Sequence, residues 1–159
     1  MRVGLGFDSH RFAAGRPLVL GGVTIDHAAG LLGHSDADAV AHAVTDAVLG
    51  AAGLGDIGRH FPPTDERWKD ADSLDLLRRA AQLAEEENYQ VVNVDVTVVC
   101  EAPRLAPHVD EMGRRLAAAL GIAPRLVSVK GKTNEGMGWV GRGEGIAAMA
   151  VVLVDRVEG

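Results

Sequence analysis

Apolar and polar positions along the chain change period several times, and each change marks an element. Val3, Leu5 and Phe7 alternate with smaller residues, which predicts a strand. Leu18 to Ile25, interrupted by Gly21-Gly22, reads as a short hairpin. From Asp36 to Ala52 the period lengthens to that of a helix, with Val40, Ala43, Val44 and Ala47 on one face. Ser35 followed by Asp38 suggests a loose capping box at its start, and Gly53 ends it. Gly55 to Asp65 has no period and is rich in Gly and Pro, so it reads as a loop. Ser73 is placed to cap a second helix over Leu74 to Glu87. Val92, Val94, Val96 and Val98 alternate with polar residues as a half-wet strand. A third helix is expected over Pro107 to Leu120, then a strand over Leu126 to Lys130 and a glycine-rich turn over Gly136 to Gly145. Ile146 to Val154 closes the chain as a strand apolar on both faces. Such a strand must be covered twice, either inside one protomer or by helices on one side and a neighbouring subunit on the other.

These elements predict an α+β fold: a mixed, mainly antiparallel sheet with helices packed on one face. The 159 residues suit a single domain spanning 1–159, and 47% hydrophobic content can fill one core. Aromatics are only 4%, so that core must be aliphatic. The net charge of −6 argues against a nucleic-acid binder. No apolar run reaches the length of a membrane span, and no signal-peptide pattern opens the chain. A single cysteine, Cys100, excludes an internal disulfide and suits a cytoplasmic setting.

Candidate chemistry starts with Asp8 and His10. An Asp-x-His pair on a strand points both side chains to one face. His42 would join them from the first helix, where Asp38, His42 and Asp46 form a polar stripe at i, i+4, i+8. Three ligands of this kind would leave a zinc ion one open position. The alternative is that His42 lies on an ordinary solvated helix face. His34-Ser35 at the helix entry offers a phosphate site or simple capping. Asp56, Ile57, Gly58, Phe61 and Asp65 form a loop able to receive a polyol, or merely a turn. Lys130-Gly131-Lys132-Thr133-Asn134-Glu135 is rich in donors after a strand but lacks the spacing of a nucleotide-binding P-loop. Lys132 and Thr133 could hold phosphate there and Glu135 a magnesium ion, or the segment is simply a polar turn. Arg142 and Glu144 flank glycines and can pair with each other.

In order along the chain stand Gly6-Phe7-Asp8-Ser9-His10, Gly33-His34-Ser35-Asp36-Ala37-Asp38, His42-Ala43, Gly55-Asp56-Ile57-Gly58, Phe61-Pro62, Ala102-Pro103-Arg104 and Gly141-Arg142-Gly143-Glu144-Gly145-Ile146. Together they resemble the 2-C-methyl-D-erythritol 2,4-cyclodiphosphate synthases, enzymes of non-mevalonate isoprenoid biosynthesis. The resemblance implies a homotrimer with active sites between subunits. It implies zinc on Asp8, His10 and His42, and magnesium or manganese at Glu135. His34 and Thr133 would stabilise the transition state. Ser35, Asp56, Ile57, Gly58, Phe61, Asp65, Ala102, Pro103, Arg104, Gly131, Lys132, Trp139 and Arg142 would bind a cytidyl diphosphate substrate. The reaction would release CMP and a cyclic diphosphate. A central channel holding an isoprenoid diphosphate is also implied, with Arg142 and Glu144 near its axis. The chain departs from the family pattern at Lys132, where threonine is usual, at Arg104, where lysine is frequent, and at Trp139, where phenylalanine is common. Two readings compete with the synthase. One is a zinc hydrolase using Asp38 or Asp46 as base. The other is a non-catalytic trimer that binds an isoprenoid diphosphate.

Overall fold

The computed structural model describes residues 1–157. The last two positions of the expected 1–159 domain lie outside the described residues. The elements run β1 (Arg2–Ala14), β2 (Leu18–Leu20), β3 (Val23–Ile25), β4 (Ala29–Leu31), α1 (Ala39–Ala52), α2 (Ile57–His60), α3 (Ser73–Glu86), β5 (Tyr89–Val99), α4 (Val109–Leu120), β6 (Val127–Lys132), α5 (Gly138–Gly141) and β7 (Gly145–Arg156). The main sheet has the order β4-β1-β7-β5-β6. Only β5 and β6 are parallel; the other neighbours are antiparallel. The hairpin expected over Leu18 to Ile25 forms as β2-β3, a separate two-stranded sheet.

Helices α1, α3 and α4 cover one face of the sheet. Alternate residues of β7 (Ile146, Ala148, Ala150, Val152, Val154) are buried against them, as are Val94, Val96 and Val98 of β5. The core is aliphatic, joined by Leu49, Leu77, Met112 and Leu116 from the helices. The strand β1 packs differently. Its helix-facing positions include Gly4 and Gly6, which lie flat against the α1 backbone. A Cβ on Gly6 would fall 1.8 Å from the carbonyl oxygen of Ala43, and one on Gly4 would fall 1.9 Å from that of Ala47. Removing the side chains lets strand and helix approach more closely than any larger residue allows.

The opposite face of the sheet carries Val3, Leu5 and Phe7 of β1, which are 66%, 69% and 56% exposed on the protomer. Register places them beside Leu153, Val151 and Met149 of β7. The closing strand therefore has one face under helices and one apolar face open. This apolar patch on a single protomer is of the kind that marks an association surface.

Several local expectations need correction. Helix α1 begins at Ala39, and its cap is Asp38, whose carboxylate accepts from Ala41 N at 3.0 Å; Ser35 lies outside it. Helix α3 is capped by Asp72 and includes Ser73 as its first residue. The Gly55–Asp65 loop contains the single-turn α2, capped by Asp56, and the glycine-rich turn contains α5. In β5, Val92 sits on a bulge between the paired residues Val91 and Asn93, so the buried alternation starts at Val94. The reason in the helical cases is that an aspartate directly before the first turn accepts from the free N–H groups as well as serine does.

Candidate metal centre and substrate cavities

Asp8 and His10 project from β1 on the helix side, just past the glycine pair. His42 comes down from α1, one residue before the Ala43 carbonyl that contacts Gly6. The close approach at Gly6 is what brings the three together. Asp8 Oδ2 lies 2.8 Å from His10 Nε2 and 3.1 Å from His42 Nδ1. The two ring nitrogens are 3.3 Å apart. One ligand atom from each residue lies within 4.8 Å of the others, and all three side chains are half-buried.

The donor set fits a divalent cation. His10 Nδ1 donates to Leu32 O at 2.8 Å, which leaves Nε2 as a lone pair pointing at the cluster. A carboxylate and imidazole lone pairs converging on one point repel one another unless a cation or proton sits between them. Imidazole with carboxylate suits zinc, and manganese or iron are accommodated by the same set. Burial works against ionisation of Asp8, but hydrogen bonds and charge from His10 and His42 outweigh it and hold its pKa below the usual carboxylate value. Burial likewise opposes the charge on His10. The hydrogen bond and negative charge of Asp8, with the Leu32 carbonyl, raise its pKa in spite of that.

The expected polar stripe on α1 is not a solvated face. Asp38 is fully buried and accepts from Gly21 N at 2.8 Å and Gly22 N at 2.7 Å, besides capping its own helix. Burial pushes its pKa up to about 6, against the pull of those backbone donors. Asp46 accepts from Ile57 N at 2.7 Å and so anchors α2. Burial raises its pKa as well. Asp38 has both oxygens engaged by backbone N–H groups, which removes it as a base for a metal hydrolase, and Asp46 has one oxygen so engaged.

Beside the cluster lies a cavity of about 270 Å³ lined by His10, His34, Ser35, His42, Ile57, Gly58, Phe61, Pro63, Trp68 and Leu76. His34 Nε2 donates to Asp65 O at 3.1 Å, which fixes its ring on this wall. Of the loop residues expected to bind substrate, Ile57, Gly58 and Phe61 line the cavity. Asp56 instead caps α2 through Arg59 N at 2.9 Å. Asp65 is held by Arg67, whose guanidinium keeps that half-buried carboxyl below its usual pKa.

A second cavity, about 230 Å³, lies at the carboxyl ends of β5 and β6. Cys100, Glu101, Pro103, Arg104, Leu105, Ala106, Gly131, Lys132 and Thr133 line it. Gly131 lies under Leu105: a Cβ there would come within 3.0 Å of the leucine Cβ. Ala102 contributes its carbonyl to the Cys100 thiol, and burial pushes that thiol up to about 11. Thr133 and Glu135 stand together, with Thr133 Oγ1 3.5 Å from Glu135 Oε1. Glu101, which belongs to no sequence motif named above, accepts from Asn134 N at 2.7 Å and Gly136 N at 3.2 Å and pins this loop. Trp139 lines a third hollow with Ser9, His10, Arg11 and Glu144, and Arg142 is paired to Glu144 at 2.8 Å.

The cavity beside the cluster and the cavity at the ends of β5 and β6 are not neighbours on one protomer. Asp8 pairs with Ala148, Ala148 with Val98, and Val98 with Gly131, so Asp8 of the candidate metal cluster and Gly131 of the second cavity share one transverse row of the sheet. They are three strand spacings apart, roughly 14 Å. Three further histidines are structural or peripheral. His60 donates to Leu54 O at 2.8 Å, His27 packs near Phe12, and His108 precedes α4.

Known proteins match this arrangement over nearly the full length. The YgbB family model matches residues 1–155. The chain is 61% identical over 155 residues to the 2-C-methyl-D-erythritol 2,4-cyclodiphosphate synthase of Bordetella avium, covering 98% of this chain and 96% of that protein. It is 60% identical over 154 residues to the synthase of the same name from Symbiobacterium thermophilum, covering 97% and 98%. A solved structure of a 2C-methyl-D-erythritol-2,4-cyclodiphosphate synthase in a CDP-bound form superposes with a TM-score of 0.88 at 40% identity, covering 97% of this chain and 100% of the other. The bifunctional IspDF of Campylobacter jejuni superposes with a TM-score of 0.95 at 40% identity over 99% of this chain, which spans 42% of that longer protein. A family model spanning residues 1–155, with identity of 61% and 60% to relatives covered over nearly their whole length, places the chain in the YgbB family.

Proposed function

We propose that the chain converts 4-diphosphocytidyl-2-C-methyl-D-erythritol 2-phosphate into 2-C-methyl-D-erythritol 2,4-cyclodiphosphate and CMP, a step of non-mevalonate isoprenoid biosynthesis. The observation that carries this reading is the convergence of Asp8, His10 and His42 beside a cavity walled by His34 and Ser35. An oxygen of the 2-phosphate attacks the β-phosphorus. A new P–O bond closes the ring as the bond between the β-phosphorus and the bridging oxygen breaks, and CMP leaves with that oxygen. The nucleophile is already an anion, so the site needs positioning and charge stabilisation more than a base. That agrees with Asp38 and Asp46 being engaged elsewhere.

Zinc held by Asp8, His10 and His42 would supply Lewis acidity to a phosphate oxygen at its open position. Magnesium or manganese at Glu135 would neutralise diphosphate charge; a lone carboxylate suits an ion that keeps several waters and phosphate oxygens. Ser35 and its neighbouring backbone would hold the attacking phosphate. His34 and Thr133 would stabilise charge on the transferring group. Asp56, Ile57, Gly58, Phe61 and Asp65 would seat the erythritol, by backbone groups where the carboxylates are already bonded. Ala102, Pro103, Arg104, Gly131 and Lys132 would surround the cytidine nucleotide, with Trp139 and Arg142 at the margin.

The roughly 14 Å between the metal ligands and the second cavity supports a homotrimer in which one subunit's nucleotide cavity faces its neighbour's metal ligands. The open apolar face of β1 and β7 supports the same assembly and would line a channel suited to an isoprenoid diphosphate. The chain would act as one catalytic domain over 1–159. One free thiol fits a cytoplasmic setting, and no described helix is long and apolar enough to cross a membrane.

Phosphorus NMR of the products tests the reaction. A cyclic diphosphate with equimolar CMP is expected, and a linear phosphate from water attack would refute it. His42→Ala should lose most bound zinc and turnover together, since two ligands hold the ion poorly. Unchanged zinc at one per chain would overturn the ligand assignment.

A further inference from the structure

The polarity of the hydrogen bonds behind His42 can be read from their donors and acceptors. The chain starts at Asp36, in the turn before α1. Its Oδ1 accepts the hydroxyl proton of Ser73 and the N–H of Asp38, the latter at 3.1 Å. Its Oδ2 accepts the backbone N–H of Ser73 at 3.1 Å. A serine hydroxyl has one proton to give. That of Ser73 goes to Asp36, so toward His42 its oxygen can only accept.

Ser73 Oγ lies 2.8 Å from His42 Nε2. His42 therefore carries its proton on Nε2 and presents the Nδ1 lone pair to Asp8 and His10. His10 is fixed the opposite way, with its proton on Nδ1 against Leu32 O. The two imidazoles are held as opposite tautomers, and this is the combination that aims both free nitrogens at one point. Ser35 Oγ, 3.1 Å from the same Nε2, is a second and looser acceptor. It lies 3.4 Å from Ser73 Oγ and also receives Ala37 N at 3.3 Å. Ser73 itself is fully buried, as the first residue of α3, so no water competes for its oxygen.

We propose that Asp36 and Ser73 are positioning residues that set which nitrogen of His42 is protonated and so strengthen divalent-cation binding at Asp8, His10 and His42. The proposal rests on the reading of that cluster as a metal site. Neither residue touches the ion or substrate; Asp36 orients Ser73, and Ser73 orients the ring. A merely structural link between the 34–38 turn and α3 would leave the ring proton of His42 indifferent to Ser73.

The test uses the zinc-loaded protein labelled with 15N-histidine. Long-range proton–nitrogen correlation should show His42 protonated at Nε2 and bound through Nδ1. Protonation at Nδ1 with zinc on Nε2 would overturn the proposal, and this measurement on the unaltered protein decides it even where a variant fails to fold. With folding checked by circular dichroism, Ser73→Ala should weaken zinc, measured by chelator competition, by roughly ten- to hundredfold. The His42 ring proton should exchange faster with water in that variant. Ser35→Ala should weaken zinc by less than Ser73→Ala does. If the unaltered protein binds zinc and Ser73→Ala binds it within about twofold, the positioning role is wrong while the metal site stands. If the unaltered protein takes up no zinc, the metal reading itself fails and takes the proposal with it.

Discussion

Gly6→Ala adds one methyl group at the point where β1 meets α1, and the structure says what that methyl would strike. Its Cβ would fall 1.8 Å from Ala43 O, 2.8 Å from Ala43 C and 2.9 Å from Ala47 N, all backbone atoms of α1. Ordinary contact begins at 3.4 Å, so strand and helix must separate by about 1.6 Å locally. No rotamer relieves this, because the obstacle is a helical carbonyl within its own hydrogen-bond ladder. Overpacking of this kind costs about 1–3 kcal/mol, and a backbone collision belongs at the upper end. The consequence for the site is larger. His42 precedes Ala43, and Asp8 and His10 lie two and four residues past Gly6. Metal–ligand distances tolerate only about 0.2 Å. A displacement several times that size pulls His42 away from Asp8 and His10. Urea unfolding should show a loss of roughly 3 kcal/mol, and gel-filtered Gly6→Ala should hold far less than one zinc per chain. Gly50→Ala is the control on the same helix: a Cβ there meets nothing within 4 Å. It should stabilise by about 0.5–1 kcal/mol and keep its zinc. Parental stability and full zinc content in Gly6→Ala would refute the idea that this glycine sets the site.

Two other outcomes follow from the fold. Leu5→Asp alters a side chain that is exposed on the protomer, so the subunit should fold normally, yet light scattering should fall from the proposed trimer's mass, about three times 16.6 kDa, to that of one chain; an unchanged mass would show that β1 and β7 do not form the proposed interface. Burial raises the Asp38 carboxyl from 3.8 to about 6, so the folded protein binds its proton more tightly than the unfolded chain does. Its contribution to stability is then full below pH 4 and lost as pH rises through 6, a span worth at most about 3 kcal/mol. Asp38→Asn, compared with the parent by urea unfolding, should show its largest deficit near pH 4 and a smaller one above pH 6, and a deficit independent of pH would contradict that account.

The cluster of Asp8, His10 and His42 was partly legible because two of its members follow from strand geometry alone. Asp8 and His10 differ by two residues, and strand periodicity puts them on one face whatever the rest of the molecule does. His42 was ambiguous, since a helix of this pattern presents the same histidine to solvent or to a strand. The Asp36–Ser73–His42 chain was not legible at all. It joins residues 37 apart through hydroxyl and carboxylate groups that occur in any turn, and it carries no spacing rule. Asp38 and Asp46 looked like a solvated stripe because the stretch of chain that covers them, Gly21-Gly22 and Ile57, is remote in sequence.

By itself the sequence determined the order of the long helices and strands, though not β4, α2 or α5, together with the aliphatic core, the Asp-x-His pair and the family resemblance, since each depends on local period or on a run of neighbouring residues. The tertiary structure decided which side of β1 is buried. The large side chains Val3, Leu5 and Phe7 face outward, while Gly4 and Gly6 face the core. An alternating pattern shows that two faces differ, but not that the bare one is pressed against a helix. Only the packing of α1 onto that strip of glycine shows why the face without side chains is the one that builds the site.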